Sequence, residues 1–274
     1  VELSDYGVKA EMTAGLRSGM FRFTYPKSEQ AFIMIDMNHT LWQSCEWSNL
    51  RMENDSTLTG YKLVKGWGPE RHVYFTAVFS KKLKNLRFMQ DKKPVIYNTS
   101  RFRSCYEAWG KNLMACISFE AAEGEEIIVK TAVSAVSTAG ATLNLQELNG
   151  MTFDSLREKG VSLWEQELAK YQIEAEPEVK EAFYTAAYRA ALHPFVFQDA
   201  DRQFRGLDKN IEKAEGFTNY TVFSLWDTYR ALHPWFNLVH QDINADIANS
   251  MLAHYDKSVE KMLPIWSFYG NETW

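Results

Sequence analysis

The sequence predicts a multidomain protein, β first and α second: an antiparallel β-sandwich followed by paired helices. Three observations carry this. The first half alternates apolar and polar residues in short runs broken by turn residues. The second half repeats its apolar residues near every 3.6 positions. A shift in composition at "AGATLNLQEL" (139–148) separates the two. The 274 residues suffice for one large or two ordinary domains.

Taken in order, strands are expected at "MFRFTYP" (20–26), which alternates and ends in Pro, and at "QAFIMIDMN" (30–38), which is apolar between polar ends. "GYKLVKGWG" (60–68), "HVYFTAVFS" (72–80), "LMACISFEA" (113–121) and "EEIIVKTAVSAVS" (125–137) follow. All are rich in Val, Ile, Phe, Tyr and Thr, and "PKSE", "GPER" and "AEGEE" supply turns. Several strands at close spacing with no helical run between them point to an antiparallel sandwich. Helices are expected from "TFDSLREKGVSLWEQELAKYQIE" (152–174), where Phe153, Leu156, Val161, Trp164, Leu168 and Tyr171 share a face. "PEVKEAFYTAAYRAALHP" (177–194) opens on Pro in a first helical turn and closes before Pro194. After a polar loop (198–219), two more helices are expected in "TVFSLWDTYRALHP" and "QDINADIANSMLAHYDKSVEK". The expected division is a sandwich over 1–140, a helical linker over 141–176 and further helices over 177–274.

Composition excludes several functions. Net charge is −5, the pI is near 5.8 and no basic stripe occurs, which argues against nucleic acid as partner. No run approaches the roughly 18 apolar residues of a membrane span. The chain opens on Val1, read as a truncated or processed end, so targeting is not legible. Three cysteines, Cys45, Cys105 and Cys116, form no CxxC and no Cys/His cluster, which speaks against a disulfide scaffold or structural zinc. Cys105 and Cys116 are placed either to pair across neighbouring strands or to be small buried thiols. Sequons at Asn38, Asn54, Asn98, Asn219 and Asn271 matter only in a eukaryotic secretory setting. Nine Trp in a chain 14% aromatic fit either a Trp-rich core or a cleft whose flat indole faces stack on a ligand.

One stretch poses a sharper question. "FSLWDTYR" (223–230) puts a carboxylate beside Trp226 in aromatic company, and a buried helix rarely tolerates Asp unless it is paired. On a helix starting near Thr221, Phe223, Trp226 and Arg230 share a face. Asp227 then either pairs with Arg230 at a helix end or accepts hydrogen bonds from a ligand's hydroxyls beside a Trp platform. "FRGLD" contributes Arg205, Gly206 and Asp208, and "PIWSFYGNETW" (264–274) contributes Trp266, Asn271, Glu272 and Trp274. Glu272 reads as an acid of raised pKa, as a hydroxyl anchor, or as a charge at the start of a following helix. Glu11 is the one notable carboxylate near the start.

"YGVKAEMTAGLRSGMFRFTYP", "VKTAVSAVSTAGATLNLQEL", "FYTAAYRAALHP", "FRGLD", "YTVFSLWDTYRALHP" and "LPIWSFYGNETW" occur in the order seen in bacterial exo-acting α-mannosidases of glycoside hydrolase family 92. The resemblance runs from about residue 6 to 274, with "FSLWDTYRALHP" its most specific part. It implies a mutarotase-like supersandwich, linker helices and the start of an (α/α)6 barrel. It implies removal of terminal α-linked mannose from N-glycans or mannan by inversion, with α-1,2 linkages the leading expectation. It also implies a calcium ion in the parent, with ligands outside this chain, and a periplasmic, surface-bound or secreted parent. Family members extend beyond both ends, and their acid and base lie in later Glu-Gly-Asn and Asn-Asp-Asp motifs absent here. The chain is therefore expected to be a fragment, inactive alone, holding substrate through Trp226, Asp227, Arg205, Asp208 and Glu272, with Glu272 the fallback acid. Arg202-Gln203 departs from the family loop, as does the missing Gly before "LP". The alternative is a non-catalytic carbohydrate-binding or interaction module.

Overall fold

The computed structural model describes residues 1–96 and 106–272. Twelve strands fill the first unit: β1 (Glu2–Leu3), β2 (Val8–Ala14), β3 (Ser18–Tyr25), β4 (Ser28–Asp36), β5 (Ser44–Asn54), β6 (Thr57–Lys65), β7 (Arg71–Phe79), β8 (Asn85–Gln90), β9 (Lys93–Pro94), β10 (Tyr106–Gly110), β11 (Leu113–Ala121) and β12 (Glu125–Ser134). They form an eight-stranded sheet ordered β1-β2-β3-β12-β7-β6-β5-β10 and a four-stranded sheet ordered β4-β11-β8-β9, antiparallel throughout. Side chains alternate across each strand, so one row per strand faces the space between the sheets. Leu50, Leu58, Ala77 and Ile127 from the large sheet meet Ile33, Phe88, Leu113 and Ile117 from the small one in a single core. This is the expected sandwich.

The first helices belong to the same body. α1 (Thr138–Asn144) is capped by Ser137, whose Oγ accepts the Gly140 N–H at 3.0 Å. A 3₁₀ turn, Leu145–Leu148, follows. Glu147 closes on the Arg17 guanidinium at 2.8 Å and accepts the Ser18 hydroxyl at 2.9 Å. α2 (Phe153–Leu168) docks its first turn by burying Phe153 and Leu156 against Met20 and Leu148. Arg22 lies over the Phe153 ring at 4.3 Å and reaches Asp154 at 3.1 Å and Glu11 at 2.9 Å. The Arg22 hydrogen bond holds the Glu11 carboxyl down at about 2. Past this anchor most of the helix is exposed, Val161 included, until Trp164 meets the Tyr188 ring at 4.6 Å. The compact units accordingly divide as Val1–Arg157 and Glu158–Trp274, within α2.

In the second unit, α3 (Pro177–Ala190) starts on its proline as the sequence predicts. α5 (Leu232–Val239) and α6 (Gln241–Lys257) pack about Phe223, Phe236 and Ile247. His240, at their junction, meets Glu167 at 2.7 Å and the Tyr171 hydroxyl at 3.2 Å. Burial pushes the Glu167 carboxyl up, but Lys170 and His240 outweigh it and leave it below its ordinary value. Among the described residues no helix is long and apolar enough to cross a membrane. Asn219 and Asn271 are buried, which removes both as accessible sequons. Cys45 is buried and Cys116 half-buried; a Cys105–Cys116 pairing lies outside the described residues.

His254 on α6 is 1% exposed, and neither ring nitrogen has a hydrogen-bond partner among the described residues. Burial pushes its pKa down from 6.5 to about 4. Between those values the unfolded chain binds a proton that the folded chain refuses. Its contribution is therefore complete above about pH 6.5 and is lost as pH falls toward 4. At pH 5 the loss should be about 1–2 kcal/mol. Urea midpoints at pH 7 and pH 5 check this: His254→Leu should flatten the difference, and an unchanged difference would remove His254 as its source.

Candidate functional site

The sequence expects one helix through "TVFSLWDTYR", and the structure corrects this. Phe223–Ser224 is a strand paired antiparallel with Trp266–Ser267, in the register Phe223↔Ser267 and Ser224↔Trp266. The Val222 N–H donates to the Ser267 carbonyl at 2.9 Å, and Leu225 N–H to the Ile265 carbonyl at 3.0 Å. The helix, α4 (Leu225–Thr228), is one turn long. Thr221, Val222 and Phe223 favour extended backbone, and a long-range strand partner outweighs local helical period. Phe223 is consequently buried while Trp226 is 63% exposed, so the expected shared face does not exist.

Asp227 is exposed at the start of α4, where a negative charge suits the helix dipole. It makes no ion pair with Arg230 among the described residues. Arg230 instead lies 5.8 Å from the Tyr229 ring centroid. The supposed burial of a carboxylate disappears: the Trp-Asp pair is presented outward from the end of a strand ribbon.

The other predicted segments gather on this ribbon. Strands Gln203–Arg205 and Ile211–Lys213 pair as a hairpin, with "GLDKN" as its loop. Arg205, half-buried, donates from Nη1 to the Lys209 carbonyl at 2.8 Å. Asp208 is exposed and accepts from the Asn210 backbone and side chain, each at 3.0 Å. Lys209 reaches the C-terminal loop, donating from Nζ to the Gly270 carbonyl at 2.8 Å and to Asn271 Oδ1 at 2.6 Å. The Tyr269 N–H donates to Thr221 Oγ1 at 2.8 Å, tying that loop to the ribbon as well. Glu272, half-buried, bridges back to Ser267 and accepts the Trp266 N–H at 3.1 Å. Trp226, Asp227, Arg205, Asp208 and Glu272 thus all sit on one interlocked set of loops. Trp274 lies outside the described residues.

Sequence reasoning missed Lys209, Thr221 and Gly270. Lys209 and Val222 take positive φ, at 66° and 61°. For a β-branched residue this is a strained conformation, held by the surrounding pairing. Their roles depend on contacts between distant segments, which local periodicity does not report.

An outward Trp beside an unburied carboxylate, on a braced ribbon, is what a flat, hydroxyl-rich ligand requires: a stacking face and a charged acceptor. Residues 1–134 match the glycosyl hydrolase family 92 N-terminal domain, and residues 140–274 match the glycosyl hydrolase family 92 catalytic domain. The chain belongs to this family. It is similar, at 82% identity and a TM-score of 0.97 over 100% of its length, to the family GH92 alpha-mannosidase BT3965 from Bacteroides thetaiotaomicron. It covers 37% of that chain. The same likeness holds for BT3965 in complex with mannoimidazole, where it covers 36%. The family GH92 inverting mannosidase BT2199 from Bacteroides thetaiotaomicron VPI-5482 shares the fold, with a TM-score of 0.83 at 21% identity over 97% of this chain and 35% of its own. No match was found among curated proteins.

Proposed function

We propose that the chain is part of an inverting exo-α-mannosidase that removes terminal α-linked mannose, α-1,2 linkages foremost, from N-glycans or mannan. The observation that carries this is the pairing of strand 223–224 with strand 266–267. It sets Trp226 and Asp227 on the same ribbon as Glu272, in a chain 82% identical to an alpha-mannosidase. Trp226 stacks on the apolar face of the terminal sugar, and Asp227 accepts hydrogen bonds from its hydroxyls. Arg205 and Asp208 complete the loop that borders this subsite. Glu272, with one oxygen engaged by the Trp266 N–H, serves as an anchor rather than the acid.

Inversion needs one carboxylic acid to protonate the leaving oxygen and one carboxylate to activate water. In this proposal both come from parts of the parent outside these 274 residues. So does the calcium site. The ion takes six to eight oxygen ligands, and no group of three or more His, Cys, Asp or Glu side chains converges among the described residues. No step here runs through it. A periplasmic, surface-bound or secreted location suits such a substrate.

The full-length protein should hydrolyse an aryl α-mannoside and release β-mannose first, seen by proton NMR of the anomeric signal before mutarotation. Chelation of divalent ions should abolish turnover and added calcium should restore it. Absence of hydrolysis would end the mannosidase reading, and turnover indifferent to the chelator would end the metal proposal.

A further inference from the structure

The sandwich carries a second aromatic surface, remote in sequence from the ribbon. On the large sheet, Leu50, Leu58, Ala77 and Ala108 point into the core. The alternate residues therefore point outward. Register places Trp109 opposite Asn49, Asn49 opposite Tyr61, and Tyr61 opposite Tyr74, one row across β10, β5, β6 and β7. Trp47 is two residues before Asn49 on the same face, diagonal to Trp109. α1 rests on this face against β12 and β7 and touches β6, with Thr142 meeting Thr76 at 2.8 Å. Trp109 and Trp47 remain 57% and 46% exposed. The row spans about 14 Å at the usual strand spacing, several sugar residues long.

The chemistry selects the ligand. The two tyrosines of the row are held stiffly: the Tyr61 and Tyr74 rings lie 4.6 Å apart, and the Tyr61 hydroxyl is hydrogen-bonded to His72 Nδ1 at 3.0 Å. Stiff platforms lose little entropy on binding. The charges nearby are paired with carboxylates in excess. Arg51 is shared between Glu53 at 3.2 Å and Glu107 at 3.5 Å, and Glu107 also accepts from Asn49 Nδ2 at 2.9 Å. A surface with surplus carboxylate acceptors, on a chain of net charge −5, suits an uncharged ligand rich in hydroxyl donors and repels an acidic polymer. Flat apolar sugar faces suit the exposed indoles of Trp47 and Trp109.

We propose that this open part of the large sheet binds a neutral polysaccharide, holding the polymer whose ends the parent enzyme trims. The choice of polymer rests on the mannosidase reading; the surface itself does not. The test compares the full-length protein with a Trp47→Ala/Trp109→Ala variant, using electrophoresis through gels containing branched α-mannan, alongside kinetics on an aryl α-mannoside. The variant should bind mannan about 10-fold more weakly, about 0.7 kcal/mol for each stacking face. Its kcat/KM on the aryl mannoside should stay within twofold of wild type. Wild type unretarded by mannan, or a variant retarded equally, overturns the proposal. So does a variant that loses aryl-mannoside turnover in parallel, or one whose only change is dissociation of a dimer in sedimentation. Trp109→Ala alone, on edge strand β10, decides the matter should the double variant not fold: unchanged retardation overturns. Wild type that is retarded but inactive on the aryl mannoside sinks the mannosidase reading and leaves the surface standing.

Discussion

Replacing Asp227 with alanine in the full-length protein is expected to cut kcat/KM on an aryl α-mannoside by about 100-fold or more, the cost of a charged hydrogen bond plus the resulting misplacement of the sugar. Stability should barely move. The side chain is exposed, pairs with no cation among the described residues, and gains only a modest dipole contribution at the first turn of α4. That separation makes the result informative: a loss of activity without a change in melting cannot be a folding effect. Asp227→Asn keeps the shape and one acceptor, so it should retain more activity than alanine. Wild-type kinetics for Asp227→Ala would remove the carboxylate from the sugar site.

How much of this was legible in the sequence differs by element. Leu113–Ala121 announces itself because its inward row, Leu113, Ala115, Ile117, Phe119 and Ala121, is unbroken apolar residues, and Glu125–Ser134 because it is a β-branched run between a turn and a helix start. β5 does not. "SCEWSNLRMEN" mixes polar groups onto both faces, and its register shifts at Cys45/Trp47 and Met52/Asn54, which destroys the period of two. β2, β8 and β10 are short or charged and went unread for similar reasons. α3 was legible because proline fixes its start, α6 because its period runs uninterrupted. The site was half legible. Trp226, Asp227 and Glu272 stood out by residue type, but their common ribbon depends on partners such as Thr221 and Ser267, 46 residues apart. A helix through Thr221 was the natural local reading, and only that distant strand overrules it. The motif resemblance supplied what periodicity could not, because motif order carries the record of such contacts without revealing their geometry.

The same interlock sets the second large effect, at Gly270. Its φ is +72°, and a Cβ there would lie 2.8 Å from the Arg205 carbonyl oxygen. Alanine meets two separate costs. The left-handed conformation costs about 1–2 kcal/mol, and the overpacking about 1–3 kcal/mol more. Gly150 isolates the first: it has the same φ of +72° with nothing within 4 Å of its would-be Cβ. Gly150→Ala should therefore cost about 1–2 kcal/mol, and Gly270→Ala about 2–5 kcal/mol, compared by thermal melting of the full-length protein. The excess should not stay local. The crowded backbone belongs to Arg205, while Lys209 grips the Gly270 carbonyl and Asn271. Relief of the clash must spread the two loops that position Arg205, Asp208 and Glu272. Gly270→Ala should accordingly raise KM for the aryl mannoside, whereas Gly150→Ala should leave it unchanged. Equal destabilisation in the two variants, with KM unmoved in both, would show that the close approach of these loops does not shape the sugar site.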